Sequence, residues 1–423
     1  MEFIPQAEIA PLPVPEPYVG RHRFPHPAYP PVIETVDDLE VIITRLQELQ
    51  TQSSDAADKI AFEIIHHSRI TPSVFRALRK KFLPSFSTIT WKDIFPYFSA
   101  GLNTTLYNDH RSIPPYMLQR SRIPIDLFKD ICTQLDVSRK TLGDRMELDN
   151  EAAVQLYFHP IPNTLLSLFH GRMTNIPEQL LKRRIGTSGR CEFTLSFHGR
   201  LILCFIEFKH SLPTGAAAHS DIIAQVIAEM DGADTFNQVE EYDGMPIHAI
   251  LTDGTNFEFY CGNFKHWTIH RGIGRLEEGI PFNDQYRISL PAAERAPDYL
   301  AKLKIVVEII FDTFLQAYTT GILSQRQHSL RRERRLNQPD FGSGFRRRLS
   351  TSFWDLASSK AYEAIDILRN AHHHRLTDPI QADELAKNGL GILQESSLAI
   401  PNPDLDWSLV DGWDDRAQAL MRV

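Results

Sequence analysis

The stretch CEFTLSFHGRLILCFIEFKHS, from Cys191 to Ser211, constrains the fold more than any other part of the chain. Two apolar runs are separated by His198 and Gly199, a pair suited to a tight turn. Glycine adopts positive φ freely, and histidine is among the other residues enriched there. The stretch therefore predicts an antiparallel β-hairpin whose strands lie in the core of an α/β protein.

The second strand of this hairpin ends in two charged residues. Because side chains alternate along a strand, Glu207 and Lys209 share one face with Leu203 and Phe205. The opposite face is apolar and consists of Ile202, Cys204, Ile206 and Phe208. Open α/β sheets place their ligand sites at the C-terminal ends of strands, so we expect a functional site at this end.

The length of the turn decides whether a second carboxylate joins this site. With a two-residue loop, Glu192 lies opposite Phe205 and on the same face as Glu207. A three-residue loop would turn Glu192 to the other face. Both registers are open at this point, and the first makes the two carboxylates diagonal neighbours.

Two carboxylates beside a lysine suit a divalent metal ion. Mg²⁺ prefers a few hard oxygen ligands and keeps several waters, one of which can attack a phosphodiester. A lysine is a compact charge that can orient that water or neutralise charge developing on the phosphate. Glu192, Glu207 and Lys209 therefore predict phosphodiester hydrolysis with Mg²⁺ or Mn²⁺ as the cofactor.

The rest of the chain divides by composition. Residues 1–34 are rich in proline and predict an extended, disordered leader. Residues 35–145 predict a helical N-terminal region. In residues 146–323 the hairpin is followed by a predicted helix, two strands and a long covering helix, an α/β order. Residues 324–423 predict a flexible basic linker and a poorly ordered segment with one short helix.

The motif IEFK lies on the second strand, after an acid on the first strand and before a helix that contains a glutamine. This arrangement resembles the PD-(D/E)xK nuclease superfamily. The stretch IHAILTDGTNFEFYCG is similar to a strand–turn–strand element in the nuclease domains of type I restriction subunits. The resemblance covers roughly residues 146–270. It implies a restriction-endonuclease-like core sheet flanked by helices, and a nuclease-like domain over residues 146–323.

The resemblance also implies a role for each matching residue. Glu207 and Lys209 form the ExK pair, and Glu192 stands where the superfamily usually has an aspartate. Gln225 matches a helix glutamine found in many members, and it would position water or phosphate. Glu151, on the helix before the hairpin, occupies the place of an acid that often completes the metal site. The sequence reads RCE instead of PD, so the first acid has a longer side chain.

Each of these residues also has an ordinary structural interpretation. Glu207 and Lys209 could form an edge-strand ion pair of little energetic worth. Glu151 lies in the first turn of a predicted helix, where the helix dipole favours an acid. Gln225 could be a polar residue on an amphipathic helix, and we expect Glu229, one turn further, to be exposed to solvent. The alternative function is a catalytically inactive scaffold of the same fold that binds nucleic acid or protein.

The charge of the chain limits its contact with nucleic acid. The formal net charge is −8, so there is no overall basic field, and contact would need a local patch. Such a patch could come from the arginines after residue 324, although a solvated linker or a nuclear-localisation patch explains them as well. They are Arg331, Arg332, Arg334, Arg335, Arg346, Arg347 and Arg348. We expect nucleic acid as the partner, with DNA favoured over RNA.

Other features indicate an intracellular protein, nuclear or cytoplasmic. The N-terminus lacks the basic start and apolar run of a signal peptide. The four cysteines form no CxxC pair, which argues against a zinc ribbon or a disulfide framework. The longest apolar stretch carries Glu308 and Asp312, so it predicts a buried helix, and we expect no membrane contact.

Overall fold

The computed structural model describes residues 88–98, 110, 113–181, 189–242, 244–273, 287–291, 296–336 and 352–400. It also describes one short parallel strand pair, β1 (Val32–Ile33) with β2 (Arg69–Ile70). The predictions for the leader at 1–34 and for most of the helical region at 35–145 therefore lie outside the described residues.

A mixed sheet forms the centre of the protein. Its strands are β3 (Pro115–Met117), β4 (Met173–Leu181), β5 (Gly189–Phe197), β6 (Leu201–Phe208), β7 (Ile247–Thr252), β8 (Asn256–Asn263), β9 (Thr268–Ile273) and β10 (Arg287–Ser289). Seven of them follow the order β3-β9-β8-β7-β6-β5-β4, and β10 pairs with the first residues of β8. The pairs β3/β9 and β6/β7 are parallel and the other neighbours are antiparallel. The predicted α/β fold class, a sheet flanked by helices, is confirmed.

Helices flank this sheet. They are α1 (Trp91–Phe98), α2 (Ile125–Leu142), α3 (Glu151–Phe158), α4 (Pro160–Ser167), α5 (Ala216–Val239), α6 (Ala296–Leu336), α7 (Ser352–His374) and α8 (Pro379–Ala399). A short 3₁₀ turn, Arg145–Glu147, precedes α3. The Asn150 side chain accepts a hydrogen bond from the Ala153 N–H and so caps α3 where the sequence predicts its start.

The order along the chain explains how the two parallel strands β6 and β7 come together. A parallel pair needs a crossover connection, and α5 supplies it between the hairpin β5–β6 and the strand β7. The predicted sequence of hairpin, helix, strand and strand is therefore present. It places the end of β6 in the middle of the sheet, beneath α5.

Two apolar clusters cover the two faces of the sheet. On one face, Ile223 and Ile227 of α5 belong to the same cluster as Phe205 and Leu251. On the other face, α6 packs so closely that a Cβ atom on Gly321 would lie 2.6 Å from Phe197. The long predicted helix therefore does cover one face of the sheet.

The C-terminal region differs from its prediction as a flexible basic linker with one short helix. Helix α6 continues through the first part of the expected linker to Leu336, and residues 352–400 form the two long helices α7 and α8. Small residues let these two helices approach closely: a Cβ on Gly389 would meet Leu368 Cγ at 2.7 Å. This close packing orders a segment whose composition alone suggested disorder. Residues 337–351 and 401–423 lie outside the described residues.

Buried ion pairs hold α6 to its neighbours. Glu308 is fully buried, and its Oε2 lies 2.8 Å from Arg120 Nη2. Asp312 accepts two hydrogen bonds from the Arg369 guanidinium, at 2.8 and 3.0 Å. Each acid that interrupts the apolar stretch thus has a cationic partner.

Within the described part of the chain, no helix is both long and apolar enough to cross a membrane. All four cysteines are free.

Candidate active site on β6 and α5

The turn of the hairpin is longer than the two-residue loop. His198 and Gly199 both have positive φ, 52° and 64°, and the Arg200 N–H donates to the Phe197 carbonyl at 3.2 Å. The strand ladder, however, begins with Phe197 opposite Leu201, so the loop contains three residues. On its own, this loop would turn Glu192 away from Glu207.

A β-bulge next to the turn reverses this effect. Ser196 lies opposite Ile202, whereas Leu195 lies opposite Cys204, so Leu203 is an extra residue in β6. The bulge shifts the register by one further residue. Phe193 then lies opposite Ile206. The ladder ends at this pair, one step before Glu192 and Glu207, and Cys191 belongs to the apolar cluster on the α5 side.

The bulge also corrects the predicted faces close to the turn. Leu203 belongs to the same apolar cluster as Cys204, and Ile202 belongs to the cluster of Phe205. Strict alternation predicted the opposite, with Leu203 on the face of Phe205 and Ile202 on the face of Cys204. From Cys204 onwards the predicted alternation holds, because the ladder is regular from there to the end of β6.

Glu207 and Lys209 meet at the end of β6. Lys209 Nζ lies 2.6 Å from Glu207 Oε1 and 3.7 Å from Glu151 Oε1. The Lys209 N–H donates to the Thr252 carbonyl at 2.8 Å, which extends the β6/β7 pairing and fixes the lysine backbone. Since β6 lies between β5 and β7, the edge-strand interpretation of this ion pair is wrong.

Two residues of α5 complete the group. Gln225 Nε2 donates to Glu207 Oε1 at 2.8 Å and to Glu229 Oε1 at 3.0 Å. Glu229 is fully buried, so the expectation that solvent surrounds it was wrong. The sheet and α1 both pack against α5, and on the helix face that points to the site Glu229 is enclosed while Gln225 stays partly exposed. The i, i+4 spacing from Gln225 was the available signal, because it puts both residues on one helix face.

The carboxylates of this group are difficult to ionise. Burial raises the pKa of Glu192 to about 7, and the charges of Glu207 and Glu151 add to the effect. Burial also raises the pKa of Glu207 and, more strongly, that of Glu229. Burial acts to lower the pKa of Lys209, but the charges of Glu207 and Glu151 outweigh it and the pKa is raised. Among the side chains that the structure describes, Lys209 is thus the one cation in contact with several carboxylates of this group, and their combined negative charge would stabilise a further cation.

Each of three carboxylates in this group has one buried oxygen with no hydrogen-bond partner among the described residues: Glu192 Oε2, Glu207 Oε2 and Glu229 Oε2. An unpaired buried oxygen of this kind is costly unless something else binds it. The described residues contain no group of three or more His, Cys, Asp or Glu side chains arranged to hold a metal. Mg²⁺ needs only one or two carboxylates from a protein, so Glu192 and Glu207 fit such an ion.

The LTDG element supports the loop that follows Lys209. The Asp253 carboxylate accepts hydrogen bonds from the N–H groups of Leu212, Thr255 and Asn256, at 3.0, 2.9 and 2.7 Å. Arg145 donates to the carbonyls of Asp253 and His210. The element therefore fixes the chain on either side of the site and contributes no group to the cluster of carboxylates.

In the predicted arginine patch, the one side chain that the structure describes, that of Arg331, does not lie near Glu207 and Lys209. Arg331 Nη1 donates to the Glu241 carbonyl at 3.5 Å, beyond the C-terminus of α5 and at the hairpin end of the sheet. With a rise of roughly 3.3 Å per residue, the hairpin end of β6 lies about 25 Å from Lys209. The other arginine side chains lie outside the described residues: Arg332, Arg334, Arg335, Arg346, Arg347 and Arg348.

Comparisons with known proteins give a distant similarity only. No protein-family model matches the chain, and no curated protein matches it either. Among solved structures, a chain described as "cryoEM structure DrdV-DNA complex" aligns with a TM-score of 0.25 and 12% sequence identity. The alignment covers 66% of this chain and 27% of that chain, so the protein spans a minor part of its neighbour's length. A similarity at this level carries no functional argument.

Proposed function

We propose that the protein is a metal-dependent nuclease that hydrolyses phosphodiester bonds, with DNA favoured over RNA as the substrate. The observation that carries the proposal is the contact of Lys209 Nζ with Glu207 Oε1 at 2.6 Å, beside Glu192, whose pKa the charge of Glu207 helps to raise. A bulge and a three-residue loop together set the register of the hairpin that carries these residues. The resemblance of these residues to the PD-(D/E)xK superfamily supports the same conclusion.

Glu192 and Glu207 are the residues that would hold the metal ion, Mg²⁺ or Mn²⁺. Each has one buried oxygen without a partner among the described residues. When bound, such an ion supplies Lewis-acid activation of the phosphate and lowers the pKa of a bound water. Glu151 is about half exposed and 3.7 Å from Lys209 Nζ, so it could assist from the rim of the site.

Lys209 would stabilise negative charge that develops on the phosphate during hydrolysis. Its ammonium group is held by Glu207 Oε1 at 2.6 Å and keeps further N–H donors for a substrate oxygen. A lysine that is already fixed and partly desolvated loses little freedom in the reaction, which is the condition for effective electrostatic stabilisation. The basic segment after residue 324 would add phosphate contacts that give no sequence specificity.

Cleavage of supercoiled plasmid and of single-stranded RNA, with Mg²⁺ or Mn²⁺, tests the proposal. We expect cleavage by the wild type and a loss of at least about 100-fold in Glu207→Gln and Lys209→Met, as for groups that act on the transition state. Lys129→Met, at an exposed lysine of α2, is the matched control and should retain activity. Cleavage that Glu207→Gln and Lys209→Met leave unchanged would contradict the proposal.

One observation favours the second candidate, an inactive scaffold that binds nucleic acid or protein. Glu207 is 3% exposed and Lys209 is 12% exposed, so little of the site is open to a substrate. This candidate predicts salt-sensitive binding of DNA without cleavage at any metal concentration. The same plasmid assay, combined with a binding assay at two salt concentrations, separates the two functions.

A further inference from the structure

Glu229 is a buried acid that the proposed chemistry does not use. It lies on α5 and is fully buried, and it reaches the site through the Gln225 side chain and by a direct interaction with the Glu207 carboxyl group. The amide nitrogen of Gln225 carries two hydrogens. One is donated to Glu207 Oε1 at 2.8 Å and the other to Glu229 Oε1 at 3.0 Å. Both donors of Gln225 are therefore used inside the protein, and neither is left for water or phosphate.

This arrangement distinguishes the two oxygens of Glu207. Oε1 accepts from Lys209 Nζ at 2.6 Å and from Gln225 Nε2 at 2.8 Å. Oε2 has no partner among the described residues. Two donors on one oxygen fix the rotation of the carboxylate, so the other oxygen keeps a constant direction. A carboxylate fixed in this way is preorganised as a metal ligand.

We infer that Glu229 is a positioning residue, which holds the Gln225 amide so that Gln225 orients Glu207 in the site. This inference rests on the proposed function. It also assigns the Gln225 amide nitrogen to Glu207 and Glu229 instead of to water or phosphate, because both of its N–H donors are occupied inside the protein. The i, i+4 spacing on one helix makes Gln225 and Glu229 neighbours on the same face of α5.

A competing role for Glu229 is that of a direct metal ligand. The two roles predict different effects for substitutions of Glu229. A positioning residue needs only an oxygen that accepts from Gln225, which Glu229→Gln retains and Glu229→Leu removes. A direct ligand needs the negative charge, which both substitutions remove. A double-mutant cycle with Gln225→Met separates them further, because a residue that acts through Gln225 has no effect once Gln225 is gone.

The experiment measures Mn²⁺ affinity by electron paramagnetic resonance for these variants of the full chain. We expect a loss of about 10-fold or more in Glu229→Leu and in Gln225→Met, as for other residues that orient a metal ligand. Glu229→Gln should stay within about 3-fold of the wild type, and the double variant should lose no more than Gln225→Met alone. Thermal unfolding establishes that each variant is folded, and Glu229→Met replaces Glu229→Leu if that variant does not fold.

The results distinguish a failure of the positioning role from a failure of the proposed function. Equal Mn²⁺ affinity in the wild type and Glu207→Gln would contradict the metal site itself. If Glu207→Gln is defective, full affinity in Glu229→Leu, or losses that add in the double variant, would overturn the positioning role. The Gln225 side-chain NH₂ resonances of ¹⁵N-glutamine-labelled protein give a readout without metal. They should shift in Glu229→Leu and stay near their wild-type positions in Glu229→Gln.

Discussion

Leu195 lies opposite Cys204, although the next residue, Ser196, lies opposite Ile202. The extra residue between these two pairs, Leu203, cancels the effect of the three-residue turn on the register. The register that reaches Phe193 and Ile206 would, continued by one residue, put Glu192 on the same face as Glu207, and neither feature alone has this effect. Bulges that redirect a side chain are common next to active sites, and here the bulge shifts the register of β5 against β6 by one residue.

Mn²⁺ should stabilise the wild-type protein and stabilise Glu192→Gln much less. A ligand that binds only the folded state adds about 2.7 kcal/mol at one hundred times its dissociation constant. Replacing the Glu192 carboxylate removes one of the two proposed anionic ligands and should weaken Mn²⁺ binding at least about 10-fold. Thermal unfolding with and without Mn²⁺ measures the difference. Glu384→Gln, at an exposed glutamate of α8, should respond to Mn²⁺ as the wild type does.

Lys209→Met should destabilise the protein by about 3 kcal/mol, because it leaves the buried Glu207 carboxylate without its cation. Burial already raises the pKa of Glu207, and loss of Lys209 raises it further. A carboxyl whose pKa is higher in the folded state loses stability as the pH rises through that pKa. The free energy of unfolding of the variant, measured with urea, should therefore be lower at pH 8 than at pH 5.

The double variant Glu207→Gln/Lys209→Met is the control for this effect. It removes the buried charge together with its partner, so most of the lost stability should return and the added pH dependence should disappear. A double variant that is less stable than Lys209→Met would show that packing of the lysine stem, and not the unpaired carboxylate, explains the loss.

The sequence was sufficient for the element order but not for the details of the site. Periodicity and turn residues predicted both strands of the hairpin, α5 and the strands β7 and β8, because each is a local pattern. The bulge at Leu203 has no local signal, since its position depends on how β5 and β6 pack against α6. The burial of Glu229 depends on the elements that pack against α5, which no local pattern records.

The C-terminal helices show a similar limit. Arginines, glycine and serine between residues 325 and 350 suggested a linker, and one short helix was expected beyond it. The alanine-rich face of α7, including Ala357, Ala361 and Ala364, is buried. Small residues of this kind bury little area individually, so their hydrophobic pattern is weak. Their effect comes from close helix packing, which appears only when both helices are present.

Gly254→Ala should cost about 3 kcal/mol, whereas Gly199→Ala should cost about 1 kcal/mol. Both glycines have positive φ, 76° and 64°. A Cβ on Gly254 would collide with the Phe158 ring and with Arg145, while a Cβ on Gly199 would meet no atom within 4 Å. Both variants carry backbone strain, so the difference between their losses in free energy of unfolding measures the cost of the collision at Gly254. Equal losses in urea unfolding would mean that the LTDG turn can relax away from α3.

Acid should destabilise the protein through His248, which is buried on β7. Burial lowers the pKa of His248 to about 4, while the charge of Asp312 opposes this shift. In the unfolded chain the pKa returns to about 6.5, so between these values the unfolded state binds more protons and stability falls as the pH falls. The contribution of His248 to this loss between pH 7.5 and pH 5 is about 2 kcal/mol. Urea unfolding at both pH values should show a smaller loss, by this amount, in His248→Gln than in the wild type. Equal losses in the two proteins would mean that His248 takes up its proton without unfolding.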